Sequence, residues 1–166
     1  MTTPKFGRPD NDEFAPFYAG YVARVEGTDL VAGLTAQIGE VMTLLRPVAD
    51  ERAKRGYAPG KWSIKEVVGH LIDTERVMAY RALTFARGDA TPLPSFDENA
   101  WTPAGQFNER TLDSLIDEWV AVRSGTIAFL NGLPADAAIR RGTASGKSIS
   151  VRGLAYIIAG HLLHHV

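Results

Sequence analysis

The clearest structural signal in the chain lies at residues 62–88, which read WSIKEVVGHLIDTERVMAYRALTFARG. Ser63 and Glu66 form a Ser-x-x-Glu capping box, in which each side chain accepts a hydrogen bond from the other residue's free backbone N–H. Apolar residues then recur at intervals of three and four until Gly88 ends the pattern. These apolar residues are Ile64, Val67, Val68, Leu71, Met78 and Ala82. The stretch therefore predicts a long helix with one buried face.

Three other segments show the same period, and each begins at a residue that can cap a helix N-terminus. The predicted helices are 30–45 after Asp29, with some helix continuing past Pro47 toward Arg52, 111–130 at Thr111, and 151–166 after Ser150. The stretch between the last two is polar and glycine-containing, and no two segments alternate as paired strands do. The sequence therefore predicts an all-α fold, a four-helix bundle.

Length and composition describe one globular domain. The 166 residues carry a net charge of −1, so no global field draws the chain to nucleic acid or to anionic lipid. The absence of cysteine excludes disulfides, thiolate zinc sites and a cysteine nucleophile. No stretch is long and apolar enough for a signal peptide or a membrane span. We expect a polar segment at 1–16 that is loose at its start, a helical domain at 17–166, and a cytoplasmic enzyme or binding protein.

Three histidines carry the chemical information. His161 and His165 lie four residues apart on the last predicted helix, within its apolar face. Buried imidazoles stacked in this way need a metal or a polar pocket to satisfy their nitrogens. His70, on the helix at 63–88, can supply a third nitrogen at one edge of the bundle, where the site would open to solvent. Three protein ligands leave a coordination position for water, as in catalytic sites.

Two carboxylates lie near His70 on its helix. Glu66 precedes it by four residues and Asp73 follows it by three, so either could hold its second nitrogen in place. The alternative for both is a solvated helix surface. Glu75 falls inside the apolar stripe and must be paired or protonated, and the available cations include Arg52, Arg110 and Arg123.

The segment at 88–110 is rich in proline and is predicted to be a long loop between the second and third helices. Its aromatic residues include Phe96 and Trp101. They either pack over one end of the bundle or form a lid beside the metal pocket. We expect the segment to border that pocket.

Two motifs resemble the signatures of the DinB-like metalloenzymes. They are PGKWSIKEVVGHLIDTER at 59–76 and AGHLLHH at 159–165. The resemblance implies an up-down-down-up bundle with one metal ion held by His70, His161 and His165. The family includes S-transferases that use bacillithiol and isomerases that depend on mycothiol. Its members continue the last helix past the final histidine, whereas here only Val166 follows His165. We expect a less rigid ligand there unless a partner chain braces it, which leaves a homodimer open.

The function expected from these residues is that of a metal-dependent enzyme acting on a small molecule. Zinc, nickel, iron and copper all suit three imidazoles. The first expectation, which the resemblance to thiol-using enzymes implies, is S-transfer from a low-molecular-weight thiol. Since the chain has no cysteine, the thiol must come from a small molecule. The second is metal-assisted hydrolysis. The third is a bundle without enzymatic activity that binds a ligand or partner and keeps a structural or vestigial metal.

Overall fold

The computed structural model describes residues 5–166. The helices are α1 (Ala19–Arg24), α2 (Leu30–Leu45), α3 (Asp50–Ala53), α4 (Ile64–Ala86), α5 (Glu98–Ala104), α6 (Leu112–Gly132) and α7 (Val151–His165). Short 3-10 turns lie at Pro16–Tyr18, Phe107–Glu109 and Ala135–Ile139, and the strands β1 (Arg141–Ala144) and β2 (Lys147–Ser150) form one hairpin. The predicted all-α four-helix bundle is confirmed, and its long helices are α2, α4, α6 and α7.

The helices begin where the sequence predicts. Ser63 and Glu66 form the full capping box at the start of α4. The side chains of Asp29, Thr111 and Ser150 accept hydrogen bonds from backbone N–H groups in the first turns of α2, α6 and α7. α4 packs mainly against α7 and α6, while α2 packs against α6 and α7. α4 and α7, the two helices that carry the histidines, are thus neighbours.

Two irregular segments contain more regular structure than the sequence predicts. Residues 141–150 form an antiparallel hairpin, because Ser145 and Gly146 take the positive φ angles of a tight two-residue turn, 52° and 72°. The segment at 88–110 is not loop throughout. Asp97 caps the short helix α5 by accepting hydrogen bonds from the N–H groups of Asn99 and Ala100. Leu93 also pairs with the hairpin at Ala144, which ties the segment to the bundle.

The polar N-terminal segment packs on the bundle over the part that the structure describes. Phe6 and Phe14 are buried in the main core, so residues 5–16 are not a loose lead. The carboxylate of Glu13 is buried and pairs with Arg152 at the start of α7. These contacts hold residues 5–16 against the bundle although the segment is polar in composition. Among residues 5–166, no helix is both long and apolar enough to cross a membrane.

Candidate metal centre

His70, His161 and His165 come together between α4 and α7. The Nε2 atom of His161 lies 3.0 Å from Nε2 of His70 and 3.1 Å from Nε2 of His165. One nitrogen from each ring falls within 4.8 Å of the other two. His70 and His161 are buried and His165 is half-buried. His164 is exposed and stands outside this group.

The surroundings keep these rings neutral. Burial, and then the charge of His165, lower the pKa of His70 to about 4. Burial, and then the neighbouring histidines, lower the pKa of His161 to about 2. Burial and the charge of His164 lower the pKa of His165 to about 4. At neutral pH each ring therefore keeps a free lone pair, which is the form that binds a metal.

Hydrogen bonding alone does not satisfy three nitrogens arranged in this way. A neutral imidazole has one N–H and one lone pair, so Nε2 of His161 can bond well to only one of its two neighbours. Two nitrogens at 2.0–2.1 Å from one ion lie about 3.0 Å apart at a right angle and about 3.4 Å apart at a tetrahedral angle. The donor set and its spacing therefore fit one transition-metal ion.

The second nitrogen of His70 faces a hydroxyl group and not a carboxylate. Thr74 Oγ1 lies 3.4 Å from Nδ1 of His70. With its proton on Nδ1, the ring can donate to Thr74 and direct the Nε2 lone pair at the other histidines. Glu66 accepts a hydrogen bond from the N–H of Ser63 instead. Within residues 5–166, neither Glu66 nor Asp73 has a hydrogen bond to His70. Burial raises the pKa of Asp73.

Aromatic side chains cover the histidines. The Trp62 ring lies 5.0 Å from that of His70, and the Tyr21 ring lies 5.4 Å from that of His161. His70 is therefore buried, and the half-buried ring of the group is that of His165, which lines a cavity. Sequence reasoning did not identify Trp62, Tyr21 or Thr74, and only the spacing of four between His70 and Thr74 could have indicated one of them.

A glycine precedes each of two histidines and lets another segment approach. A Cβ at Gly69 would lie 2.3 Å from the Phe107 ring. A Cβ at Gly160 would lie 2.0 Å from the backbone oxygen of Tyr21. Any side chain at either position would push away a segment that packs beside the site. The two Gly-His pairs in the sequence therefore have a packing role.

A buried charged network lies beside the site. Arg123 Nε donates to the carboxylate of Glu75 over 2.8 and 3.1 Å, and Nη1 donates to Gln37. Gln37 in turn donates to the carbonyl oxygen of Ala159, on the helix that carries His161. Arg123 is thus the partner of Glu75, one of the three cations considered from the sequence, and the pair has a structural role.

Two cavities reach the histidines. The first, here the aromatic cavity, has a volume of about 370 Å³ and is lined by His161 together with Phe17, Tyr18, Tyr21, Phe96 and Arg81. The second, here the basic cavity, has a volume of about 630 Å³ and is lined by His165 together with His164, Trp62, Arg52, Arg55 and Lys61. Asn99, on α5, lines both.

Of the three aromatics in the segment at 88–110, Phe96 lines one of these cavities and Phe107 packs against Gly69, next to His70. Residues 95–99 line the aromatic cavity, so the segment borders the site. Trp101 does not face the histidines. It lies 5.2 Å from Phe96, ring to ring, and lines an adjoining apolar groove with Tyr80 and Leu93. This groove shares Phe96 and Arg81 with the aromatic cavity. The segment thus borders the site at Phe96, whereas Trp101 lines neither of the two cavities.

Most of the chain matches one known protein family. A family model of the DinB superfamily matches residues 34–166, which include all three histidines. This chain belongs to the DinB superfamily. The resemblance seen in the two sequence motifs is thereby confirmed.

This DinB-superfamily chain is similar in sequence to one known protein and in fold to another. It is 34% identical over 68 residues to "Putative metal-dependent hydrolase OB0413" of Oceanobacillus iheyensis. That match covers 40% of this chain and 37% of the relative, so it spans little more than a third of the relative's length. The fold is similar to that of YfiT from Bacillus subtilis, described as a probable metal-dependent hydrolase with an unusual four-helix bundle topology. The TM-score is 0.69 at 14% identity, over 96% of this chain and 87% of that one, and this likeness concerns the fold alone.

Proposed function

We propose that this DinB-superfamily protein is a metal-dependent enzyme that transfers the sulfur of a low-molecular-weight thiol to an electrophilic small molecule. The main support for a bound metal ion is the convergence of the Nε2 atoms of His70, His161 and His165. Their neutral imidazoles suit zinc, nickel or iron. When bound, such an ion supplies Lewis acidity and lowers the pKa of a coordinated thiol or water.

The presence of two cavities supports a reaction with two substrates. His161 lines one cavity and His165 lines the other, so two different molecules can reach the same group of histidines. A hydrolase needs a cavity for one organic substrate, with water as the other reactant. A transferase needs room for both a donor and an acceptor, and the paired cavities supply it.

The basic cavity suits an anionic thiol. Arg52, Arg55 and Lys61 line it, and its lining within residues 5–166 includes no Asp or Glu. None of these three cations forms an ion pair with another residue in the described part of the chain. A thiol that carries carboxylates, as bacillithiol does, would find complementary charge there.

The aromatic cavity suits the electrophile. Phe17, Tyr18 and Phe96 give it apolar surface. Burial, and then the negative charge of Glu98, raise the pKa of Tyr21, so its hydroxyl stays protonated and can donate to an oxygen of the acceptor. In the transfer, the thiol loses its proton to solvent and its sulfur forms a bond to the electrophilic carbon. The leaving group departs with the electron pair of its bond to that carbon, or an epoxide C–O bond breaks and its oxygen takes up a proton.

Metal-assisted hydrolysis is the second candidate, and one structural observation favours it. Asp97 and Glu98 line the aromatic cavity together with His161, and a carboxylate near a metal centre can act as a general base toward water. The names of the relative from Oceanobacillus iheyensis and of YfiT point to the same class. Asp97, however, already accepts two backbone hydrogen bonds as the cap of α5, which leaves Glu98 as the available base.

The test is a rate assay on the metal-loaded protein with a panel of thiols and electrophiles, including epoxides and chloro-aromatics. We expect conjugation that requires both the metal and the thiol. His70→Ala should abolish it, and Arg87→Gln, at an exposed position that lines neither cavity, should retain it. Metal-dependent hydrolysis of esters or amides with no thiol requirement would favour the second candidate. No metal-dependent rate with any substrate would leave the bundle as a binding protein and refute the proposal.

A further inference from the structure

Arg81 is a buried cation without a carboxylate partner. Its side chain is 3% exposed, and the other buried Lys and Arg side chains are those of Lys65 and Arg123. Lys65 pairs with Asp50, and Arg123 pairs with Glu75. No ion pair within residues 5–166 includes Arg81. A buried charge normally requires a partner, because desolvation is costly.

Neutral groups hold the guanidinium in place and leave one side of it poorly satisfied. Nη2 donates to the carbonyl oxygen of Pro94 over 2.7 Å and to Oγ of Ser145 over 3.0 Å. Nη1 has only the sulfur of Met78, at 3.8 Å, which is a weak acceptor. The Phe96 ring lies 5.9 Å from the guanidinium carbon. The head group is thus fixed in position through Nη2, while Nη1 lacks a strong acceptor.

Arg81 lines the aromatic cavity that His161 lines, and it also lines the adjoining groove of Trp101. Thr74, Met78 and Arg81 follow His70 on α4 at intervals of four, four and three, which places them along one face of the helix. At 1.5 Å per residue, Arg81 lies about 16 Å along the helix from His70. The cavity therefore has the histidines toward one end and an unpaired cation toward the other.

We propose that Arg81 binds a carboxylate of the acceptor substrate in the aromatic cavity. The acceptor would then be an elongated molecule with an apolar or aromatic body, a reactive group near the histidines and a carboxylate at Arg81. This assignment deepens the proposed function and rests on it only for the position of the reactive end.

A carboxylate matches the site better than a phosphate does. One guanidinium compensates one negative charge, and its planar donors fit the two oxygens of a carboxylate. The other charged groups that line the cavity are Asp97 and Glu98, which are exposed and negative. A doubly charged phosphate would meet more repulsion from these two side chains than a carboxylate would.

The experiment measures the binding of 4-phenylbutyrate and of its neutral amide, 4-phenylbutyramide, by calorimetry on the full chain. It is run on protein as isolated and after chelation, since a carboxylate can also bind a metal ion. We expect the chelated wild-type protein to bind the acid at least about tenfold more tightly than the amide. Equal affinities, or no measurable binding of either compound, would overturn the assignment.

Variants locate the interaction. Arg81→Gln should remove the preference for the acid, and Arg81→Lys should restore part of it. Arg87→Gln is the matched control, because Arg87 ends the same helix, is exposed and lines neither cavity. A preference that persists in a folded Arg81→Gln protein would contradict the proposal.

Two further variants address misfolding of Arg81→Gln and dependence on the proposed metal centre. If Arg81→Gln does not fold, Glu98→Gln decides the question. Removal of this exposed negative charge should strengthen binding of the acid and leave that of the amide unchanged, whereas an equal effect on both would count against a cationic site. His161→Gln should keep the preference for the acid although it disrupts the proposed metal centre. Failure of the proposed enzyme activity would therefore be distinguishable from failure of this assignment.

Discussion

Gly69 and Phe107 are in such close contact that a Cβ at position 69 would lie 2.3 Å from the Phe107 ring. Phe107 belongs to the segment that connects α4 to α6, and it packs in the core beside α4. Gly69 is adjacent to His70, so the contact fixes the connecting segment against the turn of α4 that presents a proposed metal ligand. The Gly69-His70 pair in the motif at 59–76 thus serves helix packing as well as the proposed metal binding.

Gly69→Ala should destabilise the protein and weaken its hold on the metal. The ring of Phe107 or the α4 backbone must move, and such overpacking costs about 1–3 kcal/mol. The measurements are urea unfolding and metal content. Gly125→Ala, in the exposed middle of α6 with nothing within 4 Å of the new Cβ, is the control and should be neutral or stabilising. Equal effects of the two variants would contradict this account.

The stability of the metal-free protein should depend on pH in a definite direction. The folded pKa values of His70 and His165 are about 4, below the ordinary value of 6.5. As the pH falls below 6.5, the unfolded chain takes up protons that the folded protein does not, and the free energy of unfolding falls until the folded rings also titrate near pH 4. Each such histidine contributes a slope of at most about 1.4 kcal/mol per pH unit.

Urea unfolding of chelated protein between pH 7 and pH 5 tests this dependence. The His165→Gln variant should lose stability less steeply, because one neutral imidazole is gone. A stability that is flat over this range, or a slope that is unchanged in the variant, would show that the rings are not held neutral by burial.

Phe96 and Trp101 should differ in their effects on catalysis. Phe96 lines the aromatic cavity, so Phe96→Ala should raise KM for the acceptor by about tenfold. The reason is that the acceptor would bury less apolar surface against the cavity wall. Trp101 lies on the other side of Phe96 and is 44% exposed, so Trp101→Ala should change KM much less. Steady-state kinetics on both variants makes the comparison. A larger effect of Trp101→Ala would mean that the segment rearranges over the site.

The sequence predicts those features that local chemistry determines. The Ser63–Glu66 capping box and the caps at Thr111 and Ser150 depend on residues three positions apart, and each holds in the structure. The grouping of His161 with His165 follows from one helical turn. His70 could be added because the bundle brings α4 beside α7, and the resemblance implied the same set.

The features that were missed depend on contacts between distant segments. Phe6 and Phe14 occur in a polar stretch, and only the folded core makes them buried. The hairpin at 141–150 rests on two residues at positive φ and on its pairing with Leu93. In the sequence, Arg81 looks like an ordinary charged residue on a helix. Only the folded structure shows that it is buried and has no carboxylate partner among the described residues.

Metal content is the most direct measure of the central claim. Protein purified without added metal should contain close to one transition-metal ion per chain, measured by inductively coupled plasma mass spectrometry. His161→Ala should remove the ion, because His161 Nε2 lies 3.0 and 3.1 Å from the other two ligand nitrogens. His164→Ala should retain it, since that ring is exposed and outside the group. Wild-type protein with no bound metal, or a His161→Ala protein with its metal content unchanged, would contradict the account.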